Sequence, residues 1–324
     1  MPSPSSALST QRPDLAASLE EFDSMMDAQG FIGQRVLAFQ DVAKQSGKFG
    51  IIPVEQLLQS KETTRAPGGS YGRGNWKFEP GSYSTEEHGW EEPVDDNESE
   101  MYRDYFDAEV ISTQRAQRII IENQEKRVAA MIFNATTYTS QITNPTNEWD
   151  DSANAVPITD VEAAVQSCWA NSGLWPNAMV INRKVFRNLR NCAQIIDRLK
   201  YQGFQDVRAE KITSAALAAV FDIPNVLVAG GAKNTANEGQ TLAISNIWSD
   251  EYCWIGRIAE SQDFREPCVG RLFHWSGDGS ELNGHVETYR DEKIRSDVVR
   301  VRHQVDEVSI MTACNWLIGN VTTI

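Results

Sequence analysis

Apolar and polar positions divide this chain into stretches of different period. Leu15, Leu19, Phe22 and Met26 recur at helical spacing, and Gly30 closes that pattern. Phe31, Ile32, Val36, Leu37 and Phe39 follow without a clear period, so their packing partner lies elsewhere. Residues 1–47 therefore read as an arm carrying one short helix. Phe49, Ile51, Val54 and Leu57 then give an irregular strand interrupted by Pro53. Next comes Arg65-Ala-Pro-Gly-Gly-Ser-Tyr-Gly-Arg-Gly74, a run of turn residues that cannot be helix. Trp76, Phe78, Tyr83 and Trp90 continue the segment. Residues 48–93 read as a long β-hairpin with little apolar surface of its own. A lone hairpin is marginal in water, so this one is expected to lie on another surface.

A helix is predicted from Asn97 to Asn134, where no Gly or Pro intervenes. Asn97 with Glu100 resembles a capping box; acidic residues crowd the start, and Lys126 and Arg127 stand near the end. Unbroken, it would run about 55 Å. Met101, Tyr105, Val110, Ile111, Ile119 and Ile120 keep no heptad, which favours packing along a sheet over a coiled coil. Residues 136–143 are Thr-rich and β-prone, and residues 144–157 read as a boundary. A compact α/β region follows. Its helical stripes are Val161, Ala164, Val165, Cys168, then Ile195, Ile196, Leu199, then Ile212, Ala216, Leu217, Val220. Its strands are 178–181, with Asn182 capping the next helix, and 226–228, turned by Gly230 and Gly231. Residues 247–258 are β-rich. In the tail, 285–289 reads as strand. Val299, Val301 and His303 alternate with Arg300 and Arg302, and an apolar β-prone stretch closes the chain. Strands thus flank the α/β region, the pattern of one domain inserted into another. The predicted divisions are arm 1–47, loop 48–93, outer domain 94–157, inserted α/β domain 158–284 and closing strands 285–324.

Charge sharpens the picture of the hairpin. The whole chain of 324 residues carries a formal charge of -15. That balance argues against gripping nucleic acid or an anionic membrane. Within the hairpin, Lys61, Arg65, Arg73 and Lys77 make a basic tip. Glu79, Glu86, Glu87, Glu91, Glu92, Asp95 and Asp96 make an acidic return. Such a division suits contact with another copy of the chain. The alternative is a solvated loop, against which its aromatic residues weigh. The candidate inter-subunit contacts are Arg65, Tyr71, Arg73, Trp76, Lys77, Trp90, Glu91 and Glu92, with Trp76 and Trp90 as anchors.

Catalytic chemistry finds no foothold. His88, His274, His285 and His303 form no metal-binding spacing, and no G-x-S-x-G elbow occurs. The glycine-rich run 68–74 lacks the strand-to-helix context of a phosphate site. The acidic run 86–96 lacks the spacing of a calcium loop. Five scattered cysteines without a C-x-x-C pair read as buried, reduced thiols. No stretch is long and apolar enough to span a bilayer, and the N-terminus lacks signal-peptide features. No catalytic, cofactor or metal site is expected.

Two motifs carry a family resemblance. One is Arg65 to Gly74 together with Ser84-Thr-Glu-Glu-His-Gly-Trp-Glu-Glu-Pro-Val-Asp-Asp96. The other is Ala215-Ala-Leu-Ala-Ala-Val-Phe-Asp-Ile-Pro-Asn-Val-Leu-Val228 through Gly230-Gly-Ala-Lys-Asn-Thr-Ala-Asn-Glu-Gly239. With the order of elements, they resemble the major capsid proteins of tailed bacteriophages, the Hong Kong 97-type fold shared with encapsulin shells. The resemblance implies an α+β fold with an N-terminal arm, an extended β-hairpin loop, a peripheral domain with a long spine helix, and an inserted axial α/β domain. It implies a structural protein of the virion, assembled in the host bacterial cytoplasm. Pentamers and hexamers would form an icosahedral shell around packaged double-stranded DNA, without sequence-specific binding. Its implied partners are further copies of itself, a separate scaffolding protein, a portal and a cement protein. Some relatives in that family join subunits covalently; Lys61, Lys77, Asn315 and Asn320 are present here at a frequency chance would give. The alternatives are an encapsulin-like compartment shell and an α/β enzyme with a long lid loop.

Overall fold

In a computed structural model of the chain, the residues described are 10–11, 30–75, 77–102, 107–201, 212–237, 239–277, 279, 282 and 284–323. The helix expected around 15–26 lies outside them.

The alternation in the tail builds the longest strand. One sheet joins β1 (Thr10–Gln11), β2 (Ala38–Val42), β5 (Glu86–Asp95), β12 (Gly270–Trp275), β13 (His285–Asp291) and β14 (Ser296–Ser309). β14 is its spine. It pairs antiparallel with β13 through residues 296–302, with β12 through 305–309, and with β5 along its other edge. β2 adds parallel to β12.

The long helix lies across this sheet, but it is shorter than predicted. Helix Asp96–Tyr102 comes first, and a separate helix runs Ala108–Ile132. Asp107 stands between them in extended conformation, its carboxylate accepting from the amides of Glu109 and Val110. A side chain that caps so well starts a new helix instead of continuing the old one. The expected Asn97–Glu100 box is likewise replaced, because Asp95 accepts from the Asn97 amide at 2.8 Å. The 25-residue helix is therefore about 37 Å long. Its buried face uses Thr113, Ala116, Ile120, Gln124, Val128 and Ile132, whereas Met101 and Ile111 are exposed. Ala116 and Ile120 meet Val94, Val286, Val299 and Val301 of the sheet.

A second sheet orders β6 (Ile142–Thr143), β15 (Asn315–Ile318), β11 (Cys253–Gly256), β7 (Ala178–Asn182) and β8 (Asn225–Ala229). The helices packed with it include Pro157–Ser172, Arg183–Asn191 capped by Asn182, Ala193–Tyr201 and Ser214–Phe221 capped by Thr213. Two strands fall on the other side of the predicted division: Gly270–Trp275 joins the first sheet and Asn315–Ile318 the second. Short apolar strands carry no mark of which sheet will pair with them. Residues 136–143 form turns with only Ile142–Thr143 as strand.

The aperiodic apolar patch finds its place between these layers. Phe31, Ile32, Val36 and Leu37 pack with Val128 and Ile132 of the long helix and with Trp248, Trp254 and Leu272. Gly30, at φ +92°, accepts from the Gly230 amide at 2.9 Å. A Cβ there would stand 2.5 Å from that nitrogen, so only glycine fits.

Candidate functional site

The hairpin has a paired stem and an unpaired tip. β3 (Ser46–Ile51) and β4 (Glu79–Ser84) form the stem in register from Ser46↔Ser84 to Ile51↔Glu79. Pro53 ends the irregular strand read from sequence, and Val54–Leu57 is a single helical turn. No strand occurs among the described residues from 58 to 78, nearly all of which are exposed. Gly68, at φ +81°, permits the turn in which the Gly69 amide donates to Ala66. Arg65 donates to the Gly69 carbonyl at 2.6 Å and lies over the Tyr71 ring, 4.8 Å from its centroid. Tyr71 is 70% exposed and Phe78 63%. Arg73 and Lys77 are exposed beside them. Trp76 lies outside the described residues.

The acidic return behaves differently. β5 lies on its own chain's β14, in register from Ser296↔Asp95 to Val305↔Glu86. One face of this pair is a charge ladder. Glu91 meets Arg300 at 2.6 Å and accepts from the Tyr289 hydroxyl, while Arg300 and Arg302 both reach Glu287. Glu92 faces the long helix, 3.9 Å from Arg115, and accepts from the Trp90 indole at 2.9 Å. At the foot of the strand Arg290 grips Asp96 bidentately and holds its carboxyl below the usual range. Thus Glu91 and Glu92 have cations within their own chain. Lys61, Arg65, Arg73 and Lys77 form no ion pair among the described residues. The expectation that the whole hairpin would lack a surface in its own subunit is corrected for the return strand; the tip alone projects. Arg300-x-Arg302 facing Glu87-x-x-x-Glu91 was the sequence signal for that pairing.

Trp90 is 46% exposed and stands beside a cavity of about 460 Å³ between β5 and the long helix. His88, Ile120, Asn123, Lys126 and Arg127 also line it. Among the described residues, no group of three or more His, Cys, Asp or Glu is placed to hold a metal, and no helix is long and apolar enough to cross a membrane. All five cysteines are buried, and burial pushes the Cys168 and Cys192 thiols up to about 11 and Cys314 to about 12. Thiols so shifted are poor nucleophiles.

No protein-family model matches the chain. It is 27% identical over 287 residues to the major capsid protein of Burkholderia phage BcepMu, covering 83% of this chain and 86% of that one. Its fold is similar to that of a phage-related protein from Bordetella bronchiseptica. There the TM-score is 0.70 and the identity 21%, across 97% of this chain and 98% of that one. The capsid of cyanophage P-SCSP1u superposes with a TM-score of 0.55 at 11% identity, across 88% of this chain and 86% of the other. The chain has the Hong Kong 97-type capsid fold, as the two motifs and the order of elements implied.

Proposed function

We infer that this chain is a structural shell subunit of the kind that tailed bacteriophages use as major capsid protein, and not an enzyme. The observation that carries this reading is likeness over almost the whole chain, in sequence to a phage major capsid protein and in fold to a phage capsid. An encapsulin-like compartment would share the fold; the phage relative favours the virion.

The finer reading is that copies form pentamers and hexamers of an icosahedral shell around packaged double-stranded DNA. The net charge of -15 supports a wall that repels phosphate instead of holding it. A scaffolding protein, a portal and a cement protein are the further partners of this reading, and the host cytoplasm its place of assembly. The loop tip is the proposed contact with a neighbouring subunit. Four cations with no ion pair among the described residues and the exposed Tyr71 and Phe78 support it, since a basic, aromatic projection suits an acidic copy of the same chain. Arg65, Tyr71, Arg73, Trp76 and Lys77 are its contact residues. Trp90, Glu91 and Glu92 anchor the return strand, with Trp90 still open to a partner.

The test is co-expression with a scaffolding protein followed by sedimentation and negative-stain microscopy. Closed shells support the reading, and cargo enzymes in place of DNA and a portal would favour the compartment. A ligand-binding monomer that never assembles would overturn it.

A further inference from the structure

β5 and β14 are joined by an unusual pair. His88 on β5 and His303 on β14 stand directly opposite each other in register. Their rings meet edge to face with centroids 5.9 Å apart. His303 is 1% exposed. Its Nδ1 lies 3.1 Å from the Leu282 carbonyl, which can only accept, so the proton sits on Nδ1. Its Nε2 is then a bare lone pair, buried without a partner among the described residues. Adding a proton there would create a charged donor with nothing to receive it.

The groups around the pair offer little relief. Arg127, on the helix, bears on both rings and is itself held bidentately by Glu307 of β14 at 2.9 Å. Lys126 is paired with Glu122 one turn back. His274 on β12 is buried, and its Nδ1 lies 2.8 Å from Asp41 of β2. Glu86 is the acidic neighbour on β5. Asp306 alternates to the opposite face of β14, where it accepts from the Ser84 amide. The cavity of about 460 Å³ between β5 and the helix reaches His88 but is not lined by His303. Solvent protons therefore have a route to the first ring, whereas the second charges only when the strand pair opens.

We propose that His88 and His303 form a proton-sensitive fastener that holds the returning loop strand against β14 while both rings are neutral and loosens it when they are charged. Burial first, and then the Arg127 charge, hold the His88 ring below its ordinary range; burial pushes His303 down to about 4. Both shifts lie below the unfolded value near 6.5. The unfolded strand binds protons more readily, so the fastening is complete above about pH 6.5 and is lost as pH falls toward 4. Acid would thus free the base of the same loop whose tip is proposed to reach the neighbouring copy.

The test is hydrogen–deuterium exchange of residues 86–95 in the full chain between pH 7.5 and 4, corrected for intrinsic exchange. Opening of this strand should rise on the order of a hundredfold across the window, ahead of the second sheet. In the double variant His88→Phe with His303→Phe the rise should flatten to a few-fold. An unchanged rise in a folded double variant would overturn the proposal. If that variant does not fold, the wild-type imidazole titration read by NMR decides. A His303 ring titrating near 6.5 would sink the idea, and one titrating near 4 with coincident loss of strand protection would support it.

Discussion

At the scale of single residues, Glu125 does the most joining. Its carboxylate is 3% exposed and accepts from the Ile32 amide, the Gly33 amide and the Trp248 indole, at 2.9, 2.7 and 2.6 Å. It pins the end of the arm and the segment leading into β11 to the long helix. Glu125→Gln would turn an amide NH₂ toward one of these donors, leaving two donors face to face. Folding stability should fall by about 2–4 kcal/mol, measured by urea unfolding of the purified chain. Little of this was legible in the sequence. A glutamate in an acidic chain advertises nothing, and its donors lie 93 and 123 residues away. The close approach also demands glycine at position 33, since a Cβ there would stand 2.5 Å from a Glu125 oxygen. The buried Arg271 was equally silent; its terminal nitrogens donate to Gln40 and the carbonyls of Ser261 and Asp263.

Elements were legible where a period or a cap was strong. The alternation at 299–303 gave β14, and Asn182 gave the start of the helix Arg183–Asn191. What failed was the first part of the predicted spine helix, up to Asp107. Freedom from Gly and Pro permits a helix without requiring continuity, and Asp107 uses its carboxylate to begin afresh. Asp107→Ala should therefore cost about 1 kcal/mol in stability, seen as a lower urea midpoint with an unchanged slope. Proline at Ile119, inside the helix, should cost about 3 kcal/mol or more and leave little folded protein by circular dichroism. Equal stability of the Asp107 variant would show that tertiary packing alone sets the helix start. The hairpin was half legible. Its stem and turn-rich tip follow from residue type, but the acidic return was read without its basic partner strand, which lies about two hundred residues later.

For the whole molecule, the mixed α and β fold of capsid type was readable from the two motifs and the order of elements, while the partners of short apolar strands were not. The loop tip is where the subunit account meets assembly. Exposed ion pairs contribute under about 1 kcal/mol each, so single tip changes are expected to be silent. Arg65→Glu with Arg73→Glu reverses the tip charge in every copy, and like charges would then meet around each ring. Since Arg65 and Arg73 are exposed and form no ion pair among the described residues, the melting temperature of this double variant should match the parent. Free parent subunits should also leave duplex DNA unbound in a low-salt filter-binding assay, given their acidic balance.

The most direct test of the shell account is analytical sedimentation of the parent and the Arg65→Glu, Arg73→Glu double variant, each co-expressed with a scaffolding protein and viewed by negative stain. The account predicts fast-sedimenting hollow shells from the parent and folded, slow-sedimenting subunits from the variant. A parent that stays monomeric at every concentration and with every scaffold would contradict the shell assignment, and a variant that forms normal shells would contradict the contact through the loop.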